Sequence, residues 1–331
     1  MDATPAIRSM VTGTRREFVV RTSIATVGLT VAGPGCLSGS ARDRAPFPIS
    51  LAQWSLHRTL SEGRLHPLDF PEETRTEYGL TAVEYVNTFY RDLPSGWTGE
   101  LRARCEGSGV RSLLIMCDGE GRIGDPDPDA RTATIENHAR WLDAAAELGC
   151  HSIRVNAASE GGREEQSRLA ADGLHRLAER ALPYGLNVLV ENHGGLSSDG
   201  AWLAATIRAA DHPALGTLPD FGNWRLSDSE RYDPYQGLAE LMPLAKAVSA
   251  KSHDFGLDGE ETGLDYGRLL RIVHDSGYRG WIGIEYEGDR LSEPDGIRAT
   301  KALLDRSLAA MTPEGSEEGE PAPSAPERSK L

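Results

Sequence analysis

A single (β/α)8 barrel is the α/β fold that this 331-residue sequence predicts. Three observations lead there. Eight short apolar, β-branched runs alternate with longer amphipathic stretches, which argues for a parallel sheet with helical crossovers. The units repeat every ~30 residues, the rhythm of a closed barrel. The first run leads into Trp54-Ser55-Leu56-His57, not into the glycine-rich phosphate loop that an open doubly wound sheet carries after its first strand.

The expected strands are 49–56, 82–88, 112–117, 152–156, 187–191, 215–219, 247–252 and 281–286. The clearest helices are 131–148 and 164–182. In the first, Ile135, Trp141, Leu142, Ala145 and Leu148 share a face; in the second, Leu169, Leu174, Leu177, Ala178 and Leu182 do. Gly149, Gly185 and Gly277 each fall between a helical run and a strand, where a left-handed residue ends a helix.

The ends of the chain read differently. Thr14-Arg15-Arg16-Glu17-Phe18-Val19-Val20 is a twin-arginine pattern, and residues 22–35 form an uncharged apolar run. That run is too short for a membrane-spanning helix of ~20 residues. Residues 1–36 are therefore expected to be a signal peptide of the twin-arginine type, with periplasmic or cell-surface export. Cys36, after Ala32-Gly33-Pro34-Gly35, is a candidate for lipid attachment, the one membrane link expected. Residues 37–47 read as a linker and 48–311 as the barrel. Residues 312–331, rich in Pro, Glu, Ser and Gly, cannot bury enough apolar surface to offset their ordering entropy. The remaining cysteines, Cys105, Cys117 and Cys150, match no zinc spacing. A formal charge of −15 argues against nucleic-acid and anionic-membrane partners.

In a barrel of this type the chemistry sits at the C-terminal ends of the strands. Strands five to eight run out into Glu191, Asp220, His253 and Glu285, each directly after an apolar run. Three carboxylates and an imidazole suit one divalent ion such as Mn2+, Mg2+, Co2+ or Zn2+. Side chains two apart share a strand face. Arg154 thus goes with Asn156, Glu191 with His193, Lys251 with His253, and Glu285 with Glu287, which leaves open which glutamate of the last pair is the ligand. Lys251 and Arg154 read equally well as neutralisers of buried carboxylates. Glu84 reads as one end of an ion pair across the barrel, and Trp54 as a core residue or a sugar platform.

This constellation resembles the sugar phosphate isomerase/epimerase family, whose fold is that of xylose isomerase. The resemblance covers residues 48–311. It extends to Ala82-Val83-Glu84-Tyr85-Val86-Asn87, to Gly149-Cys150-His151-Ser152-Ile153-Arg154-Val155-Asn156, and to Lys251-Ser252-His253-Asp254-Phe255, which look like a secreted bacterial branch. It implies Glu191, Asp220, His253 and Glu285 as metal ligands, with Glu191 and Glu285 also moving protons. It further implies a carbohydrate substrate in contact with Trp54, Glu84, Arg154, Asn156, His193, Asn223, Lys251 and Glu287. Asn223 stands where many relatives carry histidine.

The implied activity is isomerisation or epimerisation of a keto sugar or sugar derivative through an enediolate. Two alternatives stay open: a lyase or dehydratase acting on 3-keto glycosides through the same enediolate, and a non-catalytic exported sugar-binding protein. The DNA-repair nucleases of the superfamily are disfavoured by the negative charge and the export signal.

Overall fold

The computed structural model describes residues 47–311. The expectations for the signal segment, Cys36 and the tail fall outside the described residues, as does all of the linker except Phe47.

Eight parallel strands form one sheet: β1 (Ile49–Ala52), β2 (Ala82–Val86), β3 (Arg111–Met116), β4 (Ser152–Val155), β5 (Asn187–Glu191), β6 (Leu215–Leu218), β7 (Val248–Ser252) and β8 (Ile282–Tyr286). Their order is β6-β5-β4-β3-β2-β1-β8-β7. Parallel bridges Thr217–Ala245 and Asp220–Ser249 then link β6 to β7, and the sheet closes into a barrel. The helices are α1 (His57–Ser61), α2 (Phe70–Tyr78), α3 (Trp97–Ser108), α4 (Pro128–Asn137), α5 (Ala139–Leu148), α6 (Arg163–Ala181), α7 (Gly200–Ala210), α8 (Pro234–Leu241), α9 (Tyr266–Asp275) and α10 (Glu293–Met311).

α9 shows how the sequence builds the outer layer. Asp265 caps it by accepting the Arg268 N–H at 2.9 Å. Tyr266, Leu269, Leu270 and Val273 are buried, a spacing of three and four residues that puts one stripe against the sheet. Gly277 follows with φ 83°, as Gly149 (73°) and Gly185 (68°) follow their own helical runs. The expected helix 131–148 is instead two, α4 and α5. They meet at buried His138, whose Nδ1 donates to the Thr134 carbonyl at 2.7 Å and competes there with the backbone N–H.

β1 and β2 stop furthest short of their expected runs, because side-chain amides and a hydroxyl take over from the backbone. Gln53 Oε1 accepts the Val86 N–H at 3.0 Å, where β1 would have continued along β2. Ser55 Oγ donates to the Ile284 carbonyl (3.1 Å) and accepts the Tyr286 N–H (3.0 Å), replacing the ladder to β8. Asn87 makes a peptide-like pair with Asp118: its Nδ2 donates to the carbonyl at 3.0 Å and its Oδ1 accepts the N–H at 2.9 Å. These bonds satisfy backbone groups that would otherwise be buried unpaired. They also fix the mouth of the barrel, where polar side chains gather.

The interior of the barrel has two parts. Ala52, Val86, Leu114, Met116, Leu189 and Leu218 form an apolar cluster separate from the larger core under the helices. Alternation brings Glu84, Arg154, Glu191, Lys251 and Glu285 inward beside it, all at most 3% exposed. Gly283 makes room for Glu84: a Cβ there would lie 2.5 Å from Glu84 Oε1.

Candidate active site

Glu191 ends β5, Asp220 follows β6 and Glu285 lies in β8. All three are buried, and one carboxylate oxygen from each lies within 4.8 Å of the others. Asn192 positions Asp220 with another peptide-like pair, its Nδ2 donating to the Asp220 carbonyl at 3.0 Å and its Oδ1 accepting the N–H at 2.8 Å. Asp220 Oδ1 accepts the N–H groups of Gly222 and Asn223, both at 2.8 Å. Asp220 Oδ2 takes the Ser249 hydroxyl at 2.7 Å; that hydroxyl also lies 3.3 Å from Glu285 Oε2. Glu191 Oε1 accepts from Asn223 Nδ2 at 2.9 Å.

Two cations stand among these acids. Arg154 Nε is 2.8 Å from Glu191 Oε2, and its Nη1 donates to Asp118 Oδ1 at 2.7 Å. Lys251 Nζ lies 3.0 Å from Glu285 Oε1, 3.0 Å from Glu287 Oε2 and 3.3 Å from Asn223 Oδ1. Burial pushes the Asp220 and Glu285 carboxyls up against the pull of Lys251. Burial also opposes charge on Lys251, but Glu285, Asp220, Glu191 and Glu287 together hold the ammonium well above the ordinary lysine range. Asp118 and Glu287 resist burial and stay low, held by Arg154 and Lys251 respectively.

The structure brings together three of the four expected metal ligands and separates the fourth. His253 is exposed beyond the end of β7. The β7–β8 register pairs Lys251, not His253, with Glu285. Both residues share a phase, so alternation allows either; the strand stops at Ser252 and leaves His253 one layer too high. Three carboxylate oxygens suit a hard cation. The fourth corner does not, because an ammonium has no lone pair to give. The set Glu191, Asp220, His253 and Glu285 is not assembled.

The other expected contacts are distributed around a cavity of about 880 Å³ whose wall includes Trp54, Arg154, Asn156, His193, Glu285 and Glu287. The Trp54 indole N–H donates to Glu287 Oε1, and its ring stacks on His57 with centroids 4.8 Å apart. Trp54 is thus a half-buried wall residue. Asn156 Nδ2 donates to Asp118 Oδ1 at 2.8 Å. His193 is exposed, already in the loop after β5. Asn223 and His253 line a second cavity of about 700 Å³, which also touches His193 and Glu287. Glu84 departs from expectation. It makes no ion pair among the described residues and does not line the cavity; it sits in the barrel interior and accepts from Ser50 Oγ at 2.6 Å. Asp118, Phe89 and Ser249 belong to the site and were not singled out in the sequence. Asp118 carried the usable signal, an acid directly after the apolar run of the third strand.

An acidic centre at the C-terminal mouth of a closed parallel barrel defines the class. The family described as xylose isomerase-like TIM barrel matches residues 75–307, and the chain belongs to it. Its relatives are isomerases, epimerases and dehydratases, all at low identity. A 3-dehydroshikimate dehydratase of Pseudomonas aeruginosa is 27% identical over 252 residues, 67% of this chain and 38% of that one. The solved structure of a 3-keto-D-glucoside 4-epimerase from E. coli matches with a TM-score of 0.60 at 18% identity, over 73% of this chain and 94% of that one. A xylose isomerase-like protein from Mycobacterium smegmatis, solved in complex with magnesium, matches with a TM-score of 0.60 at 17% identity, over 80% and 98% of the two chains.

Proposed function

We propose that the protein is an isomerase or epimerase that removes the carbon-bound proton beside the carbonyl of a keto sugar or sugar derivative, through an enediolate. The observation that carries this reading is Glu285 on the wall of the 880 Å³ cavity, backed by Glu191 and Asp220. Burial raises the Glu285 carboxyl, which makes its carboxylate a stronger base than an exposed one. Arg154, on the same cavity wall, supplies fixed positive charge where an enediolate oxygen develops. Trp54 offers an apolar ring for a sugar face, and Asn156, His193 and Glu287 offer hydrogen-bonding groups. Glu191 is the partner acid for inversion. No step of this reading passes through a metal.

A second reading is a lyase or dehydratase, for example on 3-keto glycosides. It is favoured by the engagement of Glu191 with Arg154 and Asn223, which leaves Glu285 as the one glutamate of the pair on the cavity wall. The dehydratase relative supports this second reading. Incubating the protein with keto sugars and 3-keto glycosides in D2O tests them. Deuterium at the carbon beside the carbonyl of recovered sugar is expected for isomerase or epimerase, and loss of the aglycone or of water for the lyase. A sugar that binds without either change would make the protein a binder and overturn the proposal.

We also propose that the protein works outside the cytoplasm, on the basis of Arg15-Arg16 and the apolar run after them. Replacing both arginines by lysine is expected to retain the protein inside the cell. Undiminished export of that variant would refute the pathway.

A further inference from the structure

The residue at the fourth corner of the carboxylate cluster is a lysine, and its surroundings are those of a structural counter-ion. Lys251 is 1% exposed. The parallel register sets it directly beside Glu285, and the inward phase of β7 leaves it no route to solvent. Its ammonium pairs with two carboxylates, Glu285 Oε1 and Glu287 Oε2, each at 3.0 Å, and donates to Asn223 Oδ1 at 3.3 Å. Gly222 covers its stem, since a Cβ there would lie 3.1 Å from Lys251 Cγ. The same three partners reach every part of the site. Glu285 and Glu287 line the main cavity, while Asn223 also holds Glu191 at 2.9 Å.

A buried ammonium set between two carboxylates and an amide oxygen is held by geometry, and it neutralises the carboxylates that a divalent ion would otherwise draw on. The two imidazoles nearest the site, His253 and His193, are both exposed, and neither joins the carboxylate cluster.

We propose that the Lys251 ammonium is the resident cation of this centre, in place of a divalent metal, and that it positions Glu285 and Glu287 for a metal-independent reaction. The statement about the cation stands on the geometry alone; the statement about the reaction rests on the function proposed above. Lys251 touches neither cavity and so acts as a positioning residue through its two glutamates. Replacing it with a neutral side chain that carries a lone pair removes the competing charge and adds the missing ligand.

The test uses the full-length protein, stripped with EDTA and titrated with Mn2+ and Zn2+ by calorimetry, with elemental analysis after gel filtration. Wild type is expected to bind neither ion stoichiometrically, and its deuterium exchange is expected to be unchanged by EDTA. Lys251→His and Lys251→Gln are each expected to gain one stoichiometric ion, a change that a merely structural lysine would not produce. A stoichiometric ion in wild type, bound at micromolar affinity or tighter, overturns the proposal, and that measurement stands even if both variants fail to fold. Folded variants that bind no ion also overturn it, since the carboxylates would then not be the site the lysine blocks. Absence of exchange in wild type, with or without added metal, would remove the proposed function and leave the titration to decide the role of the lysine.

Discussion

Glu285→Gln is expected to lower proton exchange at the substrate carbon by about 10²- to 10⁴-fold, the range that general acid–base catalysis supplies. The amide keeps the size of the side chain and an oxygen that can still accept from Lys251 Nζ, now 3.0 Å from Glu285 Oε1. What it loses is the basic oxygen facing the cavity. Glu191→Gln separates the two chemistries. Glu191 accepts from Asn223 Nδ2 and lies 2.8 Å from Arg154 Nε, so its amide weakens that ion pair and loses a proton carrier. In an epimerisation, the Glu191 variant still exchanges one epimer but does not complete inversion. In an isomerisation or elimination with one base, it keeps most of its exchange while Glu285→Gln keeps almost none. Exchange measured by NMR with each epimer decides between these outcomes. Near wild-type rates in both variants would sink the acid–base assignment.

The sequence shows the barrel clearly because eight apolar runs and the helices between them obey different periods, and no long insertion interrupts the rhythm. Glu191, Asp220 and Glu285 were visible for a related reason, as acids placed directly after runs that must be buried. Lys251 and His253 could not be told apart in that way. They share a phase, and the sheet register that sets Lys251 beside Glu285 is a property of the pairing between strands. The roles of Gln53, Asn87 and Asn192 were hidden too. Their side chains imitate a peptide group across a strand end, and nothing in one strand's sequence announces a partner on the next. Glu84 was visible as an inward acid, but its lack of an ion pair depends on how far the cations of neighbouring strands reach.

That lack has a measurable consequence. Glu84 is buried, its Oε1 accepts from Ser50, and its Oε2 has no hydrogen-bond partner. Burial, only partly offset by Ser50 and aggravated by the charges of Glu285 and Glu191, raises its carboxyl to about 7 from the ordinary 4.5. At low pH the group is protonated in both folded and unfolded chains and contributes nothing. Between 4.5 and about 7 the unfolded chain ionises first while the folded chain keeps its proton. The folded state then binds more protons, and stability falls as pH rises. The loss is complete above the folded value and amounts to about 3 kcal/mol. Glu84→Gln is neutral at every pH and removes this slope. Its new amide N–H group at the unpaired position adds a pH-independent penalty of ~1 kcal/mol. Urea unfolding of both proteins should therefore give a difference that shifts by about 3 kcal/mol in favour of the variant from about pH 4.5 to about pH 8. Asp220 and Glu285 are raised in the same direction and steepen both curves, so the difference between the curves reads Glu84 together with its repulsion of Glu285 and Glu191. Curves that stay parallel across this window would mean that Glu84 ionises in the folded barrel as readily as in the unfolded chain, with a cation reaching it that the structure does not place there.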